Sequence, residues 1–153
     1  MLNPTQHEIL LKGLNPSRIS QRKGGGGRAL SYLEAWDVKA HLIRVFGFGG
    51  FDSDVLAADL MFEDQVGNNW NVGYKVLLRL RIHDLDATYT EAAVGSASLP
   101  QRGEAHDMAV KTAESDALKR AAINLGDQFG LSLYNSGSTA PVVNQTLAGG
   151  TNE

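Results

Sequence analysis

The chain predicts an α+β fold, with an antiparallel three- to four-stranded sheet built around a β-hairpin and helices packed on one face. Three observations predict it. Val72, Tyr74, Val76, Leu78, Leu80 and Ile82 alternate with Gly73, Lys75, Leu77, Arg79, Arg81 and His83. A period of two with one apolar side is the mark of a strand buried on one face. Thr88 to Val94 follows a turn at Asp84 to Ala87 and reads as the hairpin partner. Near the C-terminus, Leu118, Ala121, Ala122, Leu125 and Phe129 recur at helical spacing and can share one buried stripe.

The remaining elements fall into the order helix, strand, helix, three strands, helix. Residues 4–14 read as a short helix carrying Ile9, Leu10 and Leu14, ended by Asn15-Pro16. Arg18 to Arg28 reads as a basic loop closing on four glycines, with no strand before it. Ala29 to Glu34 reads as a short strand. Val38, Leu42, Val45 and Phe46 share one side of a helix that ends at Gly47. Residues 51–62 make a weakly patterned strand, and Glu63 to Asn69 an acidic loop. Gly95 to Gly103 reads as a loop before a long helix over Glu104 to Asn124, in which Glu114 lies near the apolar arc and needs a partner if buried. Residues 1–134 therefore form one domain. Residues 135–153 have no hydrophobic period and read as a disordered tail.

Composition narrows the class. A length of 153 residues with 42% hydrophobic residues suits one domain with its own core. No apolar run approaches the roughly 20 residues of a membrane span, and no secretory leader is visible. These points suggest a cytoplasmic location and no membrane partner. The chain has no cysteine, so thiolate metal sites and disulfides are excluded. Net charge is -3, but the first fifty residues carry seven Lys/Arg against three Asp/Glu, and Lys12 to Arg28 holds five cations and no acid. Salt screens charges beyond about 8–10 Å, so this local balance matters more to a polyanion than the total does.

Each candidate site has a plainer reading beside it. Lys119 and Arg120 fall off the buried stripe and point outward, as solvated cations or as phosphate contacts. Glycine N–H groups can cradle an anion, yet Gly24 to Gly27 belongs to neither a Walker loop nor a dinucleotide fingerprint, so a flexible joint is favoured. Lys75, Arg79 and Arg81 share a strand face, as a solvated surface or as a phosphate rail. Tyr32, beside the basic loop, either stacks on a base or packs inward, whereas Trp36 is expected in the core. His7, His41, His83 and His106 lack metal-ligand spacing, and no serine sits in a nucleophile elbow. Nothing points to an enzyme or a cofactor.

The motifs in order resemble the N-terminal annealing domain of the Rad fifty-two family and its bacteriophage and bacterial counterparts. The matching pieces are Ile19-Ser-Gln-Arg-Lys-Gly-Gly-Gly, Tyr32-Leu-Glu, Val45-Phe-Gly-Phe-Gly-Gly-Phe51, Tyr89-Thr-Glu91, and Glu114 to Gly126 around Asp-Ala-Leu-Lys-Arg-Ala. They span roughly residues 8–134. The resemblance implies ATP-independent binding and annealing of single-stranded DNA in homologous recombination and repair, by a ring-shaped homo-oligomer. For a bacterial host it implies association with the nucleoid, with a host single-strand-binding protein or recombinase as further partners. It carries DNA contacts onto Arg22, Tyr32, Lys119 and Arg120. Lys23, Arg28, Lys111, Lys75, Arg79 and Arg81 join these as candidate contacts, with Lys111 and Arg102 as the candidates for a second, outer site. Ile123 stands where the family often has a further arginine. The C-terminal half by which eukaryotic members bind recombinase and single-strand-binding protein has no counterpart in these residues.

Two other classes compete with this reading. A scaffold oligomer without nucleic-acid binding predicts no mobility shift with oligonucleotides at low salt. A nucleotide-dependent enzyme predicts retention of ATP by the glycine loop. The annealing reading requires that Arg22 and Lys119, far apart in sequence, meet.

Overall fold

A computed structural model of the chain describes residues 1–148. The α+β class holds, with three α-helices and two antiparallel sheets of two and three strands. Helix α1 (Pro4–Leu10) starts on a capping box between Asn3 and Gln6, with proline in its first turn. It is shorter than expected, because the chain leaves the helix at Leu11 and delivers Leu14 to the core.

The basic segment is not a loop throughout. Ser20–Lys23 forms strand β1, which pairs antiparallel with β2 (Ala29–Tyr32) and sets Arg22 opposite Leu30. The glycines make the turn between them. Gly26 and Gly27 have φ of +76° and +77°, a left-handed conformation that only glycine adopts readily. Gly24 N–H closes the turn onto Arg28 O at 2.7 Å.

Helix α2 (Ala35–Phe46) buries Val38, Leu42, Val45 and Phe46, as the spacing requires. Trp36 is 69% exposed, not a core residue. It lies two residues before Val38, about 200° around the helix, which turns it away from the buried side.

Three long strands follow, β3 (Phe51–Val66), β4 (Asn69–Ile82) and β5 (Ala87–Leu99), in the sheet order β3-β4-β5. The acidic stretch from Glu63 belongs to β3, and the loop shrinks to Gly67-Asn68 between the paired Val66 and Asn69. Likewise β5 runs to Leu99 and takes in much of the expected loop after Gly95. β3 is exposed on both faces for most of its length, and the buried positions of β5 are the small Gly95 and Ala97, so neither sequence shows the apolar alternation of β4.

Helix α3 (Arg102–Ala122) crosses β4 and β5 on an alanine stripe. Ala105, Ala109, Ala113, Ala117 and Ala121 are each 0% exposed at four-residue steps. The small side chains let the backbones approach closely. A Cβ added at Gly95 would lie 2.3 Å from Ala113 N. Val76, Leu78, Leu80 and Ile82 meet Ala113, Ala117, Leu118, Leu42 and Phe129 in one core. Glu114 is half-buried and has no ion pair among the described residues.

After α3 come three 3-10 turns, ending at Leu131–Tyr134. Of the expected tail, residues 135–148 contain no helix or strand, and residues 149–153 lie outside the described ones. Within the described part, Val143 N–H donates to Asp127 Oδ2 at 2.9 Å. Among the described residues no helix is long and apolar enough to cross a membrane.

Candidate nucleic-acid interface

Tyr32 is the centre of the site. It ends β2, and its hydroxyl donates to Glu34 Oε1 at 3.1 Å, which fixes the ring and raises the phenol pKa above its ordinary value. The Arg22 guanidinium carbon lies 5.6 Å from the ring centroid, and Lys119 Nζ lies 5.5 Å from the same centroid. Cations at this range are attracted by the quadrupole of the ring. The hairpin places Arg22 there, and the last turn of α3 places Lys119. The two distant basic segments therefore meet within one subunit.

Both cations, with Arg120 and Asp116, line a cleft of about 570 Å³ between the hairpin, β5 and the end of α3. Their ion pairs are loose. Lys119 stands 3.4 Å from Asp116, and Arg120 stands 3.4 Å from Glu91. Charge-assisted bonds to carboxylates usually lie near 2.7–2.9 Å, so these cations retain donors for another anion. Arg22 has no carboxylate partner among the described residues. Leu30, Val94, Ile123, Leu133 and Tyr134 also line the cleft, so apolar and aromatic side chains stand among the cations. Sequence reasoning missed these apolar and aromatic members. Tyr134 carried a signal, since it is a tyrosine directly after the last apolar repeat.

A second cleft of about 470 Å³ shares Arg22, Asp116 and Lys119 and adds Lys111. Lys111 is exposed and bonded to Asp107 at 2.8 Å. Lys23 and Arg28 lie on the hairpin, exposed and outside both clefts.

Lys75, Arg79 and Arg81 are elsewhere. They alternate with the buried Val76, Leu78, Leu80 and Ile82, so they stand on the sheet face away from α3. Arg79 pairs with Asp54 at 3.1 Å and Arg81 with Asp86 at 2.8 Å. Arg102, at the other end of α3, is more firmly held. It donates to both oxygens of Glu63 at 2.9 and 3.1 Å and lies 4.9 Å from the Trp70 ring centroid. His106 bonds Glu63 as well and receives the Tyr74 hydroxyl at 2.6 Å. Arg102 and His106 hold the Glu63 carboxyl below its usual pKa. Among the described residues no three His, Asp or Glu side chains form a metal-holding group.

Comparison with known proteins follows this geometry. The model of the Rad52/22 family double-strand break repair protein matches residues 4–149. The DNA repair and recombination protein rad22 of Schizosaccharomyces pombe is 31% identical over 129 residues, which is 82% of this chain and 27% of that protein. The DNA repair and recombination protein rti1 of the same yeast is 32% identical over 130 residues, 84% of this chain and 35% of that protein. The DNA repair and recombination protein RAD52 of Saccharomyces cerevisiae is 29% identical over 133 residues, covering 86% and 28%. The chain thus spans about a third or less of the length of these relatives.

Proposed function

The chain belongs to the Rad52/22 family of double-strand break repair proteins, and from that premise we propose that it binds single-stranded DNA in the Tyr32 cleft and anneals complementary strands without ATP, acting in recombination and repair. The observation that carries this reading is the convergence of Arg22 and Lys119 on one tyrosine ring. Cations from two unrelated segments repel one another, and a phosphate between them relieves that repulsion. Phosphate contacts give affinity that is independent of sequence and falls with salt. Annealing requires such a grip, because the bases must remain free to test a partner.

Arg22, Lys119 and Arg120 hold phosphates, and Tyr32 keeps the first two apart and aimed. Lys111 extends the path along α3, and Lys23 and Arg28 add field at the hairpin. Lys75, Arg79 and Arg81 face away from this path, each arginine with an acid beside it, so they serve the sheet surface.

A homo-oligomer is the working form. β3 is an edge strand of 16 residues, and Val55, Leu56, Leu60 and Met61 on it are each about half exposed. A long apolar edge of this kind calls for cover. A second copy arranged head to tail supplies it, and a closing rotation makes a ring. A ring repeats a weak cleft many times and turns it into strong binding. The stretch from residue 135 onward acts as a tail to this annealing domain, and a host single-strand-binding protein or recombinase as its further partner.

The deciding experiment is a fluorescence assay of strand annealing without nucleotide, with the mass of the particle measured in the same buffer. Annealing by a multimer supports the reading. A multimer that neither shifts nor anneals oligonucleotides at low salt leaves the scaffold alternative.

A further inference from the structure

We propose that residues 135–148 form a clasp, a strap of the chain's own C-terminal segment that closes over α1 and the turn after it, and that opens as a unit while the rest of the fold stays intact. The device is independent of what the Tyr32 cleft binds. The segment contains no helix or strand and carries no charged side chain. A terminal stretch of this kind lies against the body only where something ties it down. Three ties are present. Val143 N–H donates to Asp127 Oδ2 at 2.9 Å. Thr146 Oγ1 lies 3.4 Å from His7 Nε2 on α1. Thr139 and Pro141 pass so close to Gly13 that a Cβ there would stand 3.1 Å from Thr139 O and 3.2 Å from Pro141 Cγ. The strap begins beside β2, where a Cβ on Gly137 would stand 3.9 Å from Ser31 Oγ, and so runs from the hairpin side of the body to α1.

Asp127 is the latch, and it is an uneasy one. It opens the 3-10 turn Asp127–Phe129 and is 0% exposed. Its Oδ2 accepts the Val143 N–H, while its Oδ1 has no hydrogen-bond partner among the described residues. Buried Ser132 Oγ has none either. Buried polar atoms are normally paired, and a carboxylate shut away from water with one neutral donor is costly. Closing the clasp puts a backbone N–H where water would solvate Oδ2, and opening readmits the water. The gain in contacts and the loss of hydration oppose each other, so the two states lie close in free energy, as local opening requires. Helix α1 is held separately. Its Gln6 Nε2 donates to Val45 O at 2.9 Å and to Asp84 Oδ2 at 2.8 Å, so the strap lifts while α1 stays. Opening frees the uncharged stretch Thr139 to Thr146, which the closed form holds against the body.

Amide hydrogen exchange on the full chain tests this. In the wild type the Val143 amide should exchange more slowly than in a free peptide and faster than the amides of β4, which report global unfolding. Asp127→Ala removes the acceptor and should speed Val143 exchange at least about tenfold. Asp127→Asn sheds the buried charge but keeps an oxygen for the Val143 N–H, and should keep that amide protected. Gly13→Ala tests the clasp without touching the latch, because its Cβ presses on Thr139 and Pro141. It should speed Val143 exchange and leave β4 unchanged, and it decides the matter if Asp127→Ala does not fold. The proposal is overturned if Val143 exchanges like a free peptide, if it exchanges only together with β4, or if the folded variants leave it unchanged. Protection that disappears on dilution to single copies would assign the strap to a neighbouring copy and overturn it as well.

Discussion

Arg18 and Arg22 come from the same acid-free stretch and end in opposite circumstances. Arg18 is spent on the fold. Its Nε and Nη2 donate to the Asp37 carboxylate at 2.9–3.2 Å, and its Nη1 donates to Gln128 O at 2.8 Å. Its side chain is 12% exposed and that of Asp37 5%. Arg22 lies over the ring of Tyr32 and has no carboxylate partner among the described residues. A guanidinium with its donors satisfied offers nothing to an incoming phosphate, while one resting on a π face can turn its N–H groups outward. The same contrast separates Lys119 on Tyr32 from Arg102 on Trp70, because Glu63 grips Arg102 with two bonds. The availability of donors distinguishes a binding cation from a structural one here, and residue type does not.

The largest expected effect breaks the buried pair. Arg18→Ala leaves the Asp37 carboxylate buried without its cation, which costs about 3–5 kcal/mol of stability. Chemical denaturation reads this directly. Arg22→Ala should change stability by no more than about 0.5 kcal/mol and lower the salt slope of DNA binding by about one. Equal destabilisation by the two variants would erase the distinction. Next comes Lys119→Ala with Arg120→Ala. This double variant should weaken single-stranded DNA binding at least about tenfold while the particle mass stays unchanged. Affinity equal to wild type would remove the cleft as the binding site.

A smaller effect sharpens the contrast through pH. His41 lies beside Arg18 in the buried network. Gln128 Nε2 donates to Lys12 O and Gly13 O, so its Oε1 is left to accept from His41 Nε2 at 2.8 Å. His41 Nδ1 then accepts from Arg44 at 3.2 Å, and the ring is neutral. Burial, with Arg18 and Arg44 nearby, lowers its pKa from 6.5 to about 4, against the opposing pull of the Gln128 bond and Asp37. The folded value is below the unfolded one, so folding favours the uncharged ring. That contribution is complete above pH 6.5 and is lost as pH falls toward 4. Allowing for screening of a partly solvated ring, it amounts to about 1–2 kcal/mol. His41→Gln should flatten the stability curve across this window. A difference curve without slope there would mean that the ring titrates normally.

The parts legible in the sequence were those where burial is one-sided and side chains are large. β4 shows its alternation because every second residue enters the core, and α2 shows its stripe for the same reason. β1 left no pattern, since Ser20 to Lys23 buries little and is held by backbone bonds to β2. Helix α3 concealed its first half because its contact face is alanine, which carries little hydrophobic signal, although the four-residue step was present. The exposure of Trp36 was readable from its angle on α2, which lies off the stripe of Val38, Leu42 and Val45. In the site, Lys119 and Arg120 stood out by falling off the stripe. Nothing local separates Arg18 from Arg22, because the difference lies in Asp37 and Gln128, which only the fold brings near.

The smallest expected effect tests whether paired surface cations are as unavailable as this contrast requires. Lys75, Arg79 and Arg81 have the spacing of a phosphate rail, yet Arg79 and Arg81 each stand beside an aspartate on a half-exposed surface. Exposed pairs of this kind are worth about 0–1 kcal/mol each. Replacing both arginines by alanine should therefore shift the denaturation midpoint only slightly. The same variant should leave DNA affinity within about twofold and the salt slope unchanged, since no counterions would be released at that face. A fall in affinity comparable to that of the Lys119→Ala, Arg120→Ala variant would place DNA on both faces of the sheet. Ion pairing in the free protein would then be no guide to which cations the strand uses, because phosphates would have displaced Asp54 and Asp86.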